Sequence, residues 1–331
     1  MSAAAMRAVV LAAHGGPEVL AVREVPAPTP GPDEIRVAVR ATAINRADVL
    51  QRMGLYPDPF PGPHEIPGLE FAGTVESCGD RVRAWRPGDE VMGIVSGGAY
   101  AEMLCVHERQ AVRVPRGIAL GDAGAIPEVF VTAWDALVVQ GGLASGRWAL
   151  VHAGGSGVGT AAIQICRAVG ARVIVTCSAD KRAACTALGA HAAVDHRAED
   201  FVEVVRRETG GAGADVVLDV VGGDYAARNV ACLAPRGTIV QVGVMRGPDA
   251  SVPLGALMRA RGRIVGTVLR PRPLEEKIAI SRRFEAEVVP LLESGALRPV
   301  IDRRYRLDEM ADAHRRMEAN ANVGKIVIDV R

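Results

Sequence analysis

Apolar residues follow two different patterns along this chain, and the change comes near residue 124. Beyond it, apolar runs at 148–153, 172–177, 192–195, 215–221, 238–242 and 263–269 alternate with helical periodicity at 160–169, 180–188, 201–209, 225–232 and 254–261. Strands that are apolar throughout are buried on both faces. Their alternation with helices predicts a parallel sheet covered on both sides, an α/β architecture. Six such strands are the count of a complete doubly wound dinucleotide-binding fold.

The first 125 residues read differently. Short alternating or β-branched runs at 6–11, 35–39, 73–75 and 90–95 are separated by proline and glycine, which predicts a compact, mainly antiparallel β domain. The proline-rich stretch 56–67 can be neither an inner strand nor a helix and is expected as a surface loop. After Pro273 a helix at 274–294, a strand at 305–307, a helix at 307–319 and a last strand at 325–330 are expected. That last strand most simply rejoins the first domain. The expected division is therefore 1–126 with 270–331 for the β domain, and 127–269 for the dinucleotide-binding domain.

A glycine-rich turn adds chemistry to this pattern. Gly154, Gly155, Ser156, Gly157, Val158 and Gly159 follow an apolar run and open onto a helical stretch. A strand turning on glycines into a helix N-terminus presents backbone N–H groups and partial positive charge to an anion such as a pyrophosphate. The second strand of such a fold ends in Asp or Glu when the ribose is unphosphorylated. Here it ends Cys177-Ser178-Ala179-Asp180-Lys181-Arg182, with no acid at the strand end itself. Ser178 and Lys181 suit the 2′-phosphate of NADPH. Asp180 has two readings, a cap for the next helix or a ribose ligand that would favour NAD.

Composition narrows the class. The chain has 331 residues, 49% hydrophobic and 23% charged, as in a soluble globular protein. A net charge of +1 gives no reason to expect nucleic acid or an anionic membrane as partner. Lysine occurs only at 181, 277 and 325 among 39 basic residues, a bias that reads as genomic composition and a bacterial source. The six cysteines lack the close spacing of a structural zinc site and read as free thiols in a reducing compartment. Residues 1–6 carry no signal-peptide pattern, and no apolar run reaches the roughly 18 residues of a membrane span, so the cytoplasm is expected.

Several motifs together make the chain similar to a known family. They are Asn45-Arg46-Ala47-Asp48, Gln51-Arg52 with Gly54 and Tyr56, Gly68-Leu69-Glu70, the glycine turn, Leu218-Asp219 with Gly222-Gly223, and Asn322 to Val327. The sequence resembles the zeta-crystallin-like quinone oxidoreductases of the medium-chain dehydrogenase/reductase superfamily, of the tumour-suppressor-induced NADPH:quinone oxidoreductase type. That resemblance implies a GroES-like β domain followed by a Rossmann domain, with the active site in the cleft between them. It also implies a homodimer paired through Rossmann edge strands, here near 264–269. Asn45, Tyr56 and Thr132 would lie at the substrate and nicotinamide. Gly157, Val158 and Gly159 would meet the pyrophosphate, and Ser178 and Lys181 the 2′-phosphate. Gly243, Leu269, Arg270 and Asn322 would line the nicotinamide half. Where relatives carry an Asn-Tyr pair at the adenosine end, this chain has Asp195-His196, so His196 would take that contact.

The zinc alcohol dehydrogenases of the superfamily use Cys and a His-Glu pair as ligands. Here Asn45 takes the first position and Glu70 follows Leu69, so no metal is expected. Hydride transfer without a Lewis acid needs an activated acceptor, and a quinone fits. The alternative is an NADPH-dependent enoyl reductase acting on a thioester or ketone. A non-enzymatic binding role, found among zeta-crystallin relatives, lacks a basic–aromatic patch to support it.

Overall fold

The computed structural model describes residues 5–331 and divides into two compact units. One comprises the residues up to Glu128 together with 269–295 and 299–331, and the other 129–268 with 296–298. The short return of 296–298 was not foreseen. Two hydrogen bonds explain it: Gln164 Nε2 donates to the Arg298 carbonyl and the Arg298 N–H donates to Gln164 Oε1, each 3.0 Å.

The second unit is a six-stranded, fully parallel sheet in the order Ala192–Asp195, Arg172–Cys177, Trp148–Val151, Ala214–Asp219, Leu233–Gln241, Arg263–Gly266. The order is that of a Rossmann sheet, as expected. Leu150, Ile174, Val194, Val217 and Ile239 form its core with Phe201 and Val205 of the helix Phe201–Glu208. Burying each such side chain contributes about 1.5–3 kcal/mol.

Several boundaries differ from the sequence reading, three of them near residues singled out above. The last strand stops at Gly266 instead of 269, so the edge expected at 264–269 is shorter. The fifth strand begins at Leu233, because Ala214 and Leu233 pair before the register shifts. Lys181 closes a 3-10 turn (Ala179–Lys181) and the helix proper is Arg182–Leu188. Asp180 therefore does not cap it.

In the first unit the strand Glu34–Ile44 is central. It pairs antiparallel with Glu70–Cys78, Met103–His107 and the last strand Lys325–Asp329, which rejoins this unit as anticipated. Ile301–Arg306 runs parallel to the last strand and is longer than the 305–307 expected, because exposed Arg303 and Arg304 hide its pattern. The helix expected at 274–294 is two, Leu274–Glu287 and Val289–Glu293. Pro290 has no N–H to continue the ladder. Residues 56–67 form an irregular loop, and among the described residues no helix is long and apolar enough to cross a membrane.

A buried polar chain orders the middle of the Rossmann sheet. Asp219 Oδ1 accepts from the N–H groups of Val221 (2.6 Å) and Gly222 (3.0 Å), and Asp219 Oδ2 from Asn229 Nδ2 (2.8 Å). A carboxylate only accepts, so the Asn229 amide orientation is fixed and its Oδ1 must accept from His152 Nε2, 2.8 Å away. His152 Nδ1 then accepts from Thr176 Oγ1 at 3.0 Å. His152 is thus a structural histidine, held neutral by burial. Asp219→Ala would leave three buried donors unpaired, and urea unfolding should show a loss of about 2–4 kcal/mol. A change below 1 kcal/mol would mean that water replaces the carboxylate (about one ordinary hydrogen bond).

Candidate active site

The glycine turn leaves the strand Trp148–Val151 through Ala153, whose φ of 58° is left-handed, and enters the twelve-residue helix Gly157–Ala168. Ser156 caps that helix, its Oγ accepting from the Gly159 N–H at 3.0 Å. At Gly159 a Cβ would stand 2.3 Å from the Ala153 carbonyl oxygen and 2.6 Å from Gly154 C, so only glycine lets helix and strand approach. At Gly155 a Cβ would meet Lys181 Cδ at 2.6 Å, which places the lysine stem across the turn. Backbone at this distance and a helix dipole fit a bound pyrophosphate.

Ser178 follows the second strand, and its hydroxyl hydrogen-bonds the Asp180 carboxylate. That bond, with Lys181 and Arg197 nearby, holds Asp180 below the usual carboxylate range. His196 Nδ1 lies 2.8 Å from the Cys177 carbonyl oxygen, which can only accept, so Nδ1 carries the proton. Gly243 stands just past the fifth strand, its carbonyl accepting from Gln241 Nε2 at 2.6 Å. Thr132 is buried in the helix Pro127–Trp134. These residues, with Val158, all belong to the Rossmann unit.

Asn45, Tyr56, Leu269, Arg270 and Asn322 belong to the other unit. Asn45 precedes the helix Arg46–Arg52, and its side chain is fully engaged. Nδ2 donates to Glu70 Oε1 (2.9 Å) and the Ala43 carbonyl (3.3 Å), while Oδ1 accepts from Lys325 Nζ at 2.7 Å. Lys325 Nζ also reaches Glu70 Oε1 and the Ile44 carbonyl oxygen, each at 2.8 Å. Its side chain is 3% exposed and that of Glu70 0%. Glu70 Oε2 accepts from the Glu128 N–H at 2.9 Å. Burial, and then the Glu70 charge, push the Glu128 carboxyl up to about 8, so it holds a proton at neutral pH. Asn322 is buried and donates to the Gly324 carbonyl at 2.7 Å.

Asp48 caps the helix Arg46–Arg52 locally. Its Oδ2 accepts from the Asn45 N–H (2.7 Å) and from the Tyr100 hydroxyl (2.9 Å). Tyr56 is half-buried; desolvation raises its hydroxyl pKa, against the opposing charge of Arg270, so it remains a phenol at neutral pH. Arg270 donates to the Tyr56 carbonyl at 3.2 Å.

Sequence reasoning missed the central part of Lys325 and Glu70. A signal existed. In a chain that uses arginine at 36 of 39 basic positions, the three lysines are exceptions. Lys181 lies on the glycine turn, while Lys277 and Lys325 are 6% and 2% exposed. A slim ammonium fits where a planar guanidinium would not.

Family comparisons agree with this architecture. Residues 31–116 match the alcohol dehydrogenase GroES-like domain and residues 188–328 a zinc-binding dehydrogenase domain. A quinone oxidoreductase of Pseudomonas aeruginosa is 35% identical, over 96% of this chain and 97% of its own length. The chain belongs to the medium-chain dehydrogenase/reductase superfamily. It is an oxidoreductase with that superfamily's NAD(P)-binding fold. Two solved members align over nearly its whole length with a TM-score of 0.87 each. One is an Escherichia coli quinone oxidoreductase complexed with NADPH, 30% identical, covering 99% of this chain and 100% of that one. The other is an NAD-dependent alcohol dehydrogenase, 34% identical, with coverage of 98% and 100%. Among the described residues no three His, Cys, Asp or Glu side chains converge as metal ligands.

Burial raises the Asp48 carboxyl from 3.8 to about 6. A raised folded-state value contributes stability below pH 4 that is lost as the pH rises through 6, about 3 kcal/mol in all. Asp48→Asn keeps an acceptor toward Asn45 and Tyr100 and removes the charge. From pH 4 to 7.5 the urea midpoint of the unmodified protein should fall more steeply than that of the variant, in which the raised Glu128 carboxyl still titrates. Parallel curves would show that Asp48 does not titrate in this range.

Proposed function

We propose that this oxidoreductase is an NADPH-dependent, metal-independent reductase of quinones. The observation that carries the reading is the Lys325 ammonium, bonded to Asn45 and neutralising Glu70. A divalent cation beside Asn45 would meet a positive charge and find the nearest carboxylate already paired. An unactivated alcohol is therefore a poor substrate for this site, and an electron-poor acceptor a good one. Bound at the glycine turn, a reduced nicotinamide dinucleotide supplies the hydride.

The residues of this chain do the holding. Ser156 and Gly157 to Gly159 would receive the pyrophosphate, Lys181 and Ser178 the 2′-phosphate, and His196 the adenosine end. Thr132, Gly243, Leu269 and Asn322 would border the nicotinamide. Tyr56 offers a flat ring for an acceptor to stack on. The quinone oxidoreductase relative, and the Escherichia coli member complexed with NADPH, support this reading. The exposed edge strand Arg263–Gly266, with Ile264 41% exposed, suits pairing with a second copy.

A turnover screen of NADPH and NADH against quinones and 2-enoyl thioesters, with and without chelator, tests it. NADPH with quinones should win, chelator should change nothing, and Lys181→Ala should raise KM for NADPH alone by about tenfold. Equal use of NADH, or loss of activity with the metal, overturns it.

Tyr56→Phe separates the two acceptor classes. A hydroquinone oxygen takes its proton from water, whereas an enolate carbon needs one delivered in place. The variant should keep most quinone turnover, and Tyr56→Ala should lose about 1–3 kcal/mol of transition-state stabilisation. Abolished turnover in Tyr56→Phe with NADPH still bound would favour enoyl reduction.

A further inference from the structure

Arg270 is 4% exposed, and its guanidinium is committed to one stretch of chain. Nε donates to the Ser96 carbonyl at 2.6 Å. Nη1 reaches the carbonyl oxygens of Tyr56 (3.2 Å) and Pro57 (3.5 Å). Nη2 donates to Gln51 Oε1 at 2.8 Å and lies 3.8 Å from Asp58 Oδ1. Its Cζ sits 5.2 Å from the centre of the Tyr56 ring. Gln51 in turn donates to Glu65 Oε1 at 2.9 Å, so both ends of the loop are tied to one guanidinium. Ser96 closes the node, its Oγ donating to the Arg270 carbonyl and accepting from Lys277 Nζ.

The loop cannot hold itself. Pro57, Pro59, Pro61 and Pro63 remove every second N–H, and the segment has no regular structure. Three acceptors of Arg270 are backbone carbonyls, and they lie in directions that a planar five-donor fork can serve together and a lysine cannot.

We propose that Arg270 is a positioning residue that fixes Tyr56 for the acceptor and makes no contact with the dinucleotide. This replaces the role at the nicotinamide that the family resemblance implied, and it rests on the reading of Tyr56 as the acceptor platform. Arg270→Lys and Arg270→Ala in the full chain test it, with 1,4-naphthoquinone as acceptor and NADPH titrated alone by fluorescence. The Kd for NADPH should stay within about twofold while the KM for naphthoquinone rises roughly tenfold and kcat changes less. Amide exchange across 55–62 should quicken in Arg270→Lys, and added guanidinium should partly restore the KM of Arg270→Ala. If Arg270→Ala does not fold, Arg270→Lys decides by the same measurements. A rise in the NADPH Kd with unchanged exchange would overturn the proposal, as would an unchanged naphthoquinone KM. If the unmodified protein reduces no quinone, the functional reading falls, and the exchange rates of 55–62 alone decide the clamp: unchanged rates overturn it, faster rates uphold it.

Discussion

The β unit depends on one buried charge. Lys325 begins the last strand, Asn45 follows the long central strand, and Glu70 begins the next, so the contacts of a single ammonium join three segments remote in sequence. Taking two charges out of water is expensive, and the pair is tolerated only because the remaining hydrogen-bonding capacity is used. Glu70 accepts from Lys325, Asn45 and the Glu128 N–H, and its own carbonyl accepts from Thr42 Oγ1 at 2.6 Å. Such a pair adds little net stability over apolar packing, but losing one partner would cost about 3–5 kcal/mol. It fixes register and decides what chemistry Asn45 can offer.

The Rossmann unit uses a different device for the same end. A chain from Asp219 through Asn229 and His152 to Thr176 fixes the strand ends by hydrogen bonds whose directions are set by the carboxylate. The turn itself is fixed by steric contact, since Gly154, Gly155 and Gly159 each stand where a methyl group would strike Val175, Lys181 or backbone. Close approach serves both helix packing and access for an anion.

The parts of the fold that could be read from sequence are those with a local cause. Six apolar strands alternating with helices specify a parallel sheet, because a strand buried on both faces has no polar alternation. The proline loop and the glycine turn were legible for the same reason: backbone chemistry acts within a few residues. The edge strand Ile301–Arg306 was not, since its arginines face water and only pairing with the last strand makes it a strand. The break near Val288 was visible in Pro290 but masked by strong helical residues on either side.

For the site, the sequence alone determined which residue types stand beside the turn: glycines, Ser178, Lys181, and no acid closing the second strand. Through the family resemblance it also raised the expectation that Asn45 and Leu69 stand where zinc enzymes carry ligands. Tertiary structure alone decided that Lys325, 280 residues from Asn45, neutralises Glu70 beside it. It likewise decided that Arg270, over 200 residues from Tyr56, holds that loop instead of facing open space. Periodicity reports only whether a residue faces water or core. The partner of a buried charge is chosen by which strands the fold brings within about 3 Å, the reach of a hydrogen bond.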